Sequence, residues 1–128
     1  MIIVGLVLAG LAALVHVYIF WLESVAWRAP RTRKIFGTSP EQAAMTRELA
    51  FNQGFYNLFL ALAVFAGIVV FATAAVGVGL TLVFAGTGMM LAAALVLFTS
   101  APDKRSAAVT QGLIPLLALI ALVIGVVL

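Results

Sequence analysis

The sequence predicts an all-α fold. It reads as a polytopic membrane protein, one four-transmembrane-helix bundle over residues 1–128 with both termini outside. Three observations predict it. Of the 128 residues, 66% are hydrophobic and only 9% are charged, where ordinary soluble domains carry about 25% charge. The apolar residues form four long runs, each near the roughly 20 residues a helix needs to cross a bilayer core about 30 Å thick. The charged residues fall almost wholly between those runs. A small soluble domain buries only about two-thirds of its surface and would leave much of this apolar content in water. Composition therefore excludes a soluble enzyme, a DNA-binding module and a disordered tail, so no nucleic-acid partner is expected. Cysteine is absent, which excludes disulfides, thiolate nucleophiles and thiolate metal sites.

The first span runs from about Ile2 to Leu22. It lacks a basic start, and Tyr18, Phe20 and Trp21 stand where a signal peptide would have small cleavage-site residues, so it reads as a retained helix. Ala29-Pro30 is expected to stop it, because proline restricts the residue before it. Ser39-Pro40-Glu41-Gln42 reads as a helix start, with a Ser N-cap, Pro at the first position and Gln closing a capping box. The second helix is expected to begin there and reach the membrane near Arg47. It would continue unbroken through a span of about Leu49 to Thr73, roughly 50 Å in all. The third span covers about Gly77 to Phe98 and the fourth about Ala107 to Leu128, the latter opened by Ser100-Ala101-Pro102-Asp103. Gly5 with Ala9, Gly86 with Gly88, and Gly112 offer small faces for close helix contact. Pro115 is expected to kink the fourth helix.

Charge sets the orientation. Arg28, Arg31, Arg33, Lys34 and Arg47 lie in or beside the loop at about 28–46, and Lys104 and Arg105 lie in the loop at about 99–106. The link between the second and third spans has no charge. The positive-inside rule puts both basic loops in the cytoplasm.

The few polar residues inside the spans carry the functional information. On a regular helix His16, Phe20, Glu23 and Trp27 fall within about 60° of one another. On the second helix Glu48, Asn52 and Tyr56 share one face, and Gln53 and Asn57 form a second stripe. Gln111 lies about one turn inside the fourth span. All belong to the cytoplasmic half. They predict a polar cavity between helices lined by His16, Glu23, Asn52, Gln53, Tyr56, Asn57 and Gln111. The alternative is interhelical hydrogen bonding alone, at roughly 0.6–2 kcal/mol per residue, with Glu23 paired to Arg28 or Arg47. His16 and Glu23, about 10 Å apart along the axis, are the candidate catalytic residues, suited by type to proton transfer. One His without an HxxxH or HExxH pair makes no metal site, and no cofactor is assigned.

The blocks His16-Val17-Tyr18-Ile19-Phe20-Trp21-Leu22-Glu23, Asn52-Gln53-Gly54-Phe55-Tyr56-Asn57 and Gln111-Gly112-Leu113-Ile114-Pro115, with Trp27 and Phe36-Gly37, resemble a bacterial family of small four-helix membrane proteins, domain-of-unknown-function family 1304. The resemblance covers nearly the whole chain. It departs at Pro115, one position later than in the family pattern. It implies a multi-pass protein of the bacterial plasma (inner) membrane and supplies no activity.

Three functions are weighed. The first is a binding site or enzyme for a lipid-like or hydrophobic small molecule. Its head would meet His16, Glu23, Glu48, Asn52, Gln53, Tyr56, Asn57 and Gln111, beside Trp27, and its chain would lie among Phe20, Phe55 and Phe59. Arg47 through Asn52 is remotely similar to the second helix of the four-helix membrane glutathione transferases, but the arginines that would hold glutathione are missing. The second is a small proton-coupled transporter working through Glu23. The third is a structural subunit of a membrane complex, docking through Gly/Ala faces. The expected partners are the lipid bilayer, a hydrophobic small molecule and further copies of the chain.

Overall fold

Where no water reaches the backbone, a chain must satisfy its N–H and C=O groups within itself, so long apolar runs become helices. The computed structural model, which describes residues 1–128, shows four such helices and no strands. In chain order α1 covers Ile2–Phe20 and passes into a π-helical turn, Trp21–Val25. Two short helices follow, α2 at Pro30–Phe36 and α3 at Pro40–Met45. Then come α4 at Arg47–Thr73, α5 at Val76–Ser100, a 3₁₀ turn at Pro102–Lys104, and α6 at Arg105–Val127. Four of these segments, Ile2–Val25, Arg47–Thr73, Val76–Ser100 and Pro102–Val127, are long and apolar enough to cross a membrane.

The four long helices close a ring in which α1 packs on α4 and α6, and α5 packs on the same two from the other side. Small residues let the backbones come close. Ala9, Ala12, Ala13, Ala61 and Ala118 are buried among Leu6, Val64, Val83, Met90 and Leu122. Gly5 lies against Leu122, Gly112 against the Ala94 side chain, and Gly79 against the Phe71 backbone, where any Cβ would collide. This is the close packing by which helices associate in lipid. Gly88 departs from expectation. Space for a Cβ is open there, because it lies off the α5 face that carries Gly86 and Met90 into the core.

Two further departures concern the short segments. Pro30 does not stop α1. The first helix has already ended at Val25, and Pro30 instead starts α2 at its first position, where its missing N–H costs nothing. The capping box forms as expected, with the Gln42 N–H on Ser39 Oγ at 3.1 Å and the Ser39 N–H on Gln42 Oε1 at 2.9 Å. The helix it opens is not continuous with α4, however, but breaks at Thr46 (φ −100°, ψ 7°). The Thr46 hydroxyl turns back to the Gln42 carbonyl at 2.7 Å and accepts the Trp27 indole N–H at 3.2 Å, a side-chain bond that competes with helix continuation. In α6, Pro115 lies inside the helix.

The seven basic residues all lie in α2, the loop before it, the start of α4, the 3₁₀ turn and the start of α6. They share one end of the bundle. Gly37, in the left-handed region at φ +65°, closes α2 by returning its N–H to the Arg33 carbonyl, a role glycine fills without strain. The Trp27 and Phe36 rings meet edge to face at 5.0 Å and hold α2 back against the end of α1.

Candidate binding site at the basic end of the bundle

The last turns of α1 present two opposite faces, and the site follows from the difference between them. Toward α4 the contact is closed. Gly54 has no side chain, so the α1 backbone approaches until a Cβ there would strike Ser24 Oγ and stand 3.0 Å from the Phe20 carbonyl. Ser24 Oγ donates to the Phe51 carbonyl at 2.8 Å. Asn57 Nδ2 donates to Glu23 Oε2 at 2.8 Å. Phe20 meets Phe55 edge to face at 5.1 Å. The π-helical turn aligns these pairs, its i+5 bond running from the Ala26 N–H to the Trp21 carbonyl at 2.9 Å. Glu23 and Ser24 both lie inside this turn and both bond to α4. Such turns are rare and are often found at functional sites.

This closed contact gathers only part of the polar set marked by the sequence. Glu23, Asn57 and Phe20 belong to it, and Trp27 extends it to Thr46. The partner of Glu23 is the Asn57 amide, neither Arg28 nor Arg47. Glu48, Asn52, Gln53 and Tyr56 are exposed on the outside of α4, and the Asn52 amide bonds to its own helix at the Glu48 carbonyl. His16 is buried, 2% exposed, and its Nδ1 lies 2.9 Å from the Ala12 carbonyl. A carbonyl only accepts, so Nδ1 donates, and in the neutral ring Nε2 is left as an acceptor. The register set by Ile2 against Gly125 and Gly5 against Leu122 puts His16 level with Gln111.

The opposite face of α1 is open. A cavity of about 510 Å³ lies at the basic end between α1, α2 and the start of α6. Val15, Ile19 and Leu22 of α1 form its apolar wall, with Ile35 and Phe36 of α2. Tyr18, Ser106, Thr110 and Gln111 supply hydroxyl and amide groups, and Lys34, Asp103 and Lys104 supply charge. Of the candidate site residues marked in the sequence, Gln111 alone lines it. The sequence does not mark the others, because Val15 and Ile19 look like any lipid-facing residue and Lys34 and Lys104 look like orientation signals alone.

A ring of four apolar helices with short basic connections at one end defines a multi-pass membrane protein. A family model matches residues 10–123, and the chain belongs to that family, described as Protein of unknown function (DUF1304). Among curated proteins nothing matches the chain, and among solved structures nothing matches it either.

Proposed function

We propose that the protein holds an amphiphilic, lipid-like small molecule at the basic end of the bundle, in the cavity between α1, α2 and α6. The cavity carries this reading. Its volume of about 510 Å³ suits a small-molecule site, for which about 300–1,000 Å³ is usual. Its apolar wall on α1 matches a hydrocarbon chain, and its hydroxyl, amide and charged groups match a polar head. In this reading the basic end faces the cytoplasm, following the positive-inside rule, and the head lies at the level of the inner headgroups. Gln111 contacts the ligand. Glu23 and Asn57 act from behind, by fixing α1 to α4 so that the other face of α1 stays open.

The test is photolabelling of the full chain in phosphatidylcholine nanodiscs with a diazirine-bearing long-chain fatty acid. Labels are expected on Ile19, Leu22 and Ala107. Ala107→Phe puts a ring into the open cavity, and a loss of about 1.4 kcal/mol or more in ligand binding should lower labelling by about tenfold or more, with the melting temperature little changed. Labelling confined to the outward faces of the helices and indifferent to Ala107→Phe would overturn the reading.

A further inference from the structure

We propose that the group recognised at the mouth of this cavity is an anion, a carboxylate or phosphate head held between Lys34 and Lys104. This inference rests on the amphiphile reading above and narrows it to a chemical class. Lys34 stands in the last turn of α2, and Lys104 ends the 3₁₀ turn that leads into α6. The two lysines therefore come from separate segments, and both residues line the same cavity. Asp103 is the one carboxylate on the lining, so the charge at the mouth is positive on balance. Arg28, Arg31 and Arg47 do not line it. Arg33 and Arg105 also stand outside it, with their guanidinium groups turned to the carbonyls of Arg28 and Phe98. A basic end that served orientation alone would not need two of its cations on a cavity wall.

The remaining surroundings agree. Ser106 and Ala107, in the first turn of the 23-residue helix α6, also line the cavity. That helix start has no side-chain cap, and the positive end of its dipole adds to the attraction for an anion. Lysine is a compact point charge suited to a carboxylate or phosphate oxygen without demanding a fixed fork geometry. Ser106, Thr110 and Gln111 lie further along α6 from Lys104, at successive depths. They offer hydrogen bonds to a linking ester or hydroxyl before the chain reaches Val15 and Ile19. Lys34 is not on a loose loop. Buried Thr32, the Trp27–Phe36 contact and the Gly37 cap hold its helix in place.

The experiment is competition against the same photolabel in nanodiscs of phosphatidylcholine, scored at Ile19 and Leu22. The competitors share one acyl chain: oleic acid, oleoyl lysophosphatidic acid, oleoyl lysophosphatidylcholine and monoolein. Each exposed ion pair contributes up to about 1 kcal/mol, so the two anions should displace the label at roughly tenfold lower concentration than monoolein. Lys34→Gln with Lys104→Gln should close that gap and leave monoolein unchanged, and Lys34→Arg with Lys104→Arg should restore it. Half-molar salt should narrow the gap in the parent chain. Equal displacement by monoolein and the anions, or a gap that survives the double Gln substitution, would overturn the anion clamp while leaving the amphiphile site standing. Failure of every competitor would overturn both. A difference between oleic acid and lysophosphatidic acid would separate the two sources of anion.

Discussion

The two faces of α1 at the basic end are built from the same few turns and do opposite things. The face toward α4 carries Phe20, Glu23 and Ser24, and each meets a complement: Phe55, Asn57, and the Gly54–Phe51 backbone. The face toward α6 carries Val15, Ile19 and Leu22, and meets a cavity. Hydrophobicity does not separate helices from lipid, so helices in a bilayer come together through close packing and hydrogen bonds. Where both exist the contact seals, and where neither does it stays open. Polar residues in a membrane helix can thus mark the face that is closed and not the face that stays open.

The comparison breaks most severely at Gly54. Gly54→Val puts branched carbon into Ser24 Oγ and the Phe20 carbonyl, and α1 must move off α4. A loss of about 3 kcal/mol is expected, read as a lower unfolding midpoint in mild detergent titrated with a denaturing one. Gly88→Val is the control, since nothing stands within 4 Å of a Cβ there. It should cost under about 1 kcal/mol, within the range of helix propensity. Equal losses at both positions would show that the close approach at Gly54 is not what seals this face.

How much of this was legible beforehand depended on which physical constraint acted. The four long helices were legible because lipid leaves the backbone no alternative. The Ser39–Gln42 capping box was legible because it is local, closing over three residues. Glu23 and Asn57 stood out because ionisable and amide groups are rare in such spans, although their direct pairing across 34 positions had no local signal. The π-helical turn was not legible. It has no local sequence signal, and it lies where Gly54 of another helix comes against Ser24. The break at Thr46 escaped for the same reason, since Trp27 supports it from 19 residues away. The cavity was least legible of all. A void is defined by what fails to fill it, and its apolar wall is written in the same residues that face lipid.

A smaller effect is expected at the Glu23–Asn57 pair. Asn57→Ala removes the amide and leaves the half-buried carboxyl of Glu23 without its partner. The expected cost is about 1–2 kcal/mol. Glu23→Gln keeps an oxygen that can accept the same hydrogen bond, so it should cost only about 0.5 kcal/mol. The two substitutions, compared by unfolding midpoint, separate a structural bond from a need for the carboxyl itself. A loss on Glu23→Gln as large as that on Asn57→Ala would mean that Glu23 has a role beyond holding α4.

A comparably small effect should come from Ser24→Ala. It removes one hydrogen bond, from Ser24 Oγ to the Phe51 carbonyl, and bonds of this kind between membrane helices average about 0.6 kcal/mol. The same substitution also removes the nearest atom that a Cβ at Gly54 would strike. Gly54→Ala should therefore be better tolerated in the Ser24→Ala background than in the parent chain. The relief is partial, because the Phe20 carbonyl and the Ser24 backbone nitrogen remain 3.0 Å from the same point. A double-mutant cycle reads this as a coupling energy of about 1 kcal/mol. Strict additivity would mean that Gly54 and Ser24 do not meet, and that α1 is held to α4 by the aromatic and Glu23–Asn57 contacts without the close backbone approach.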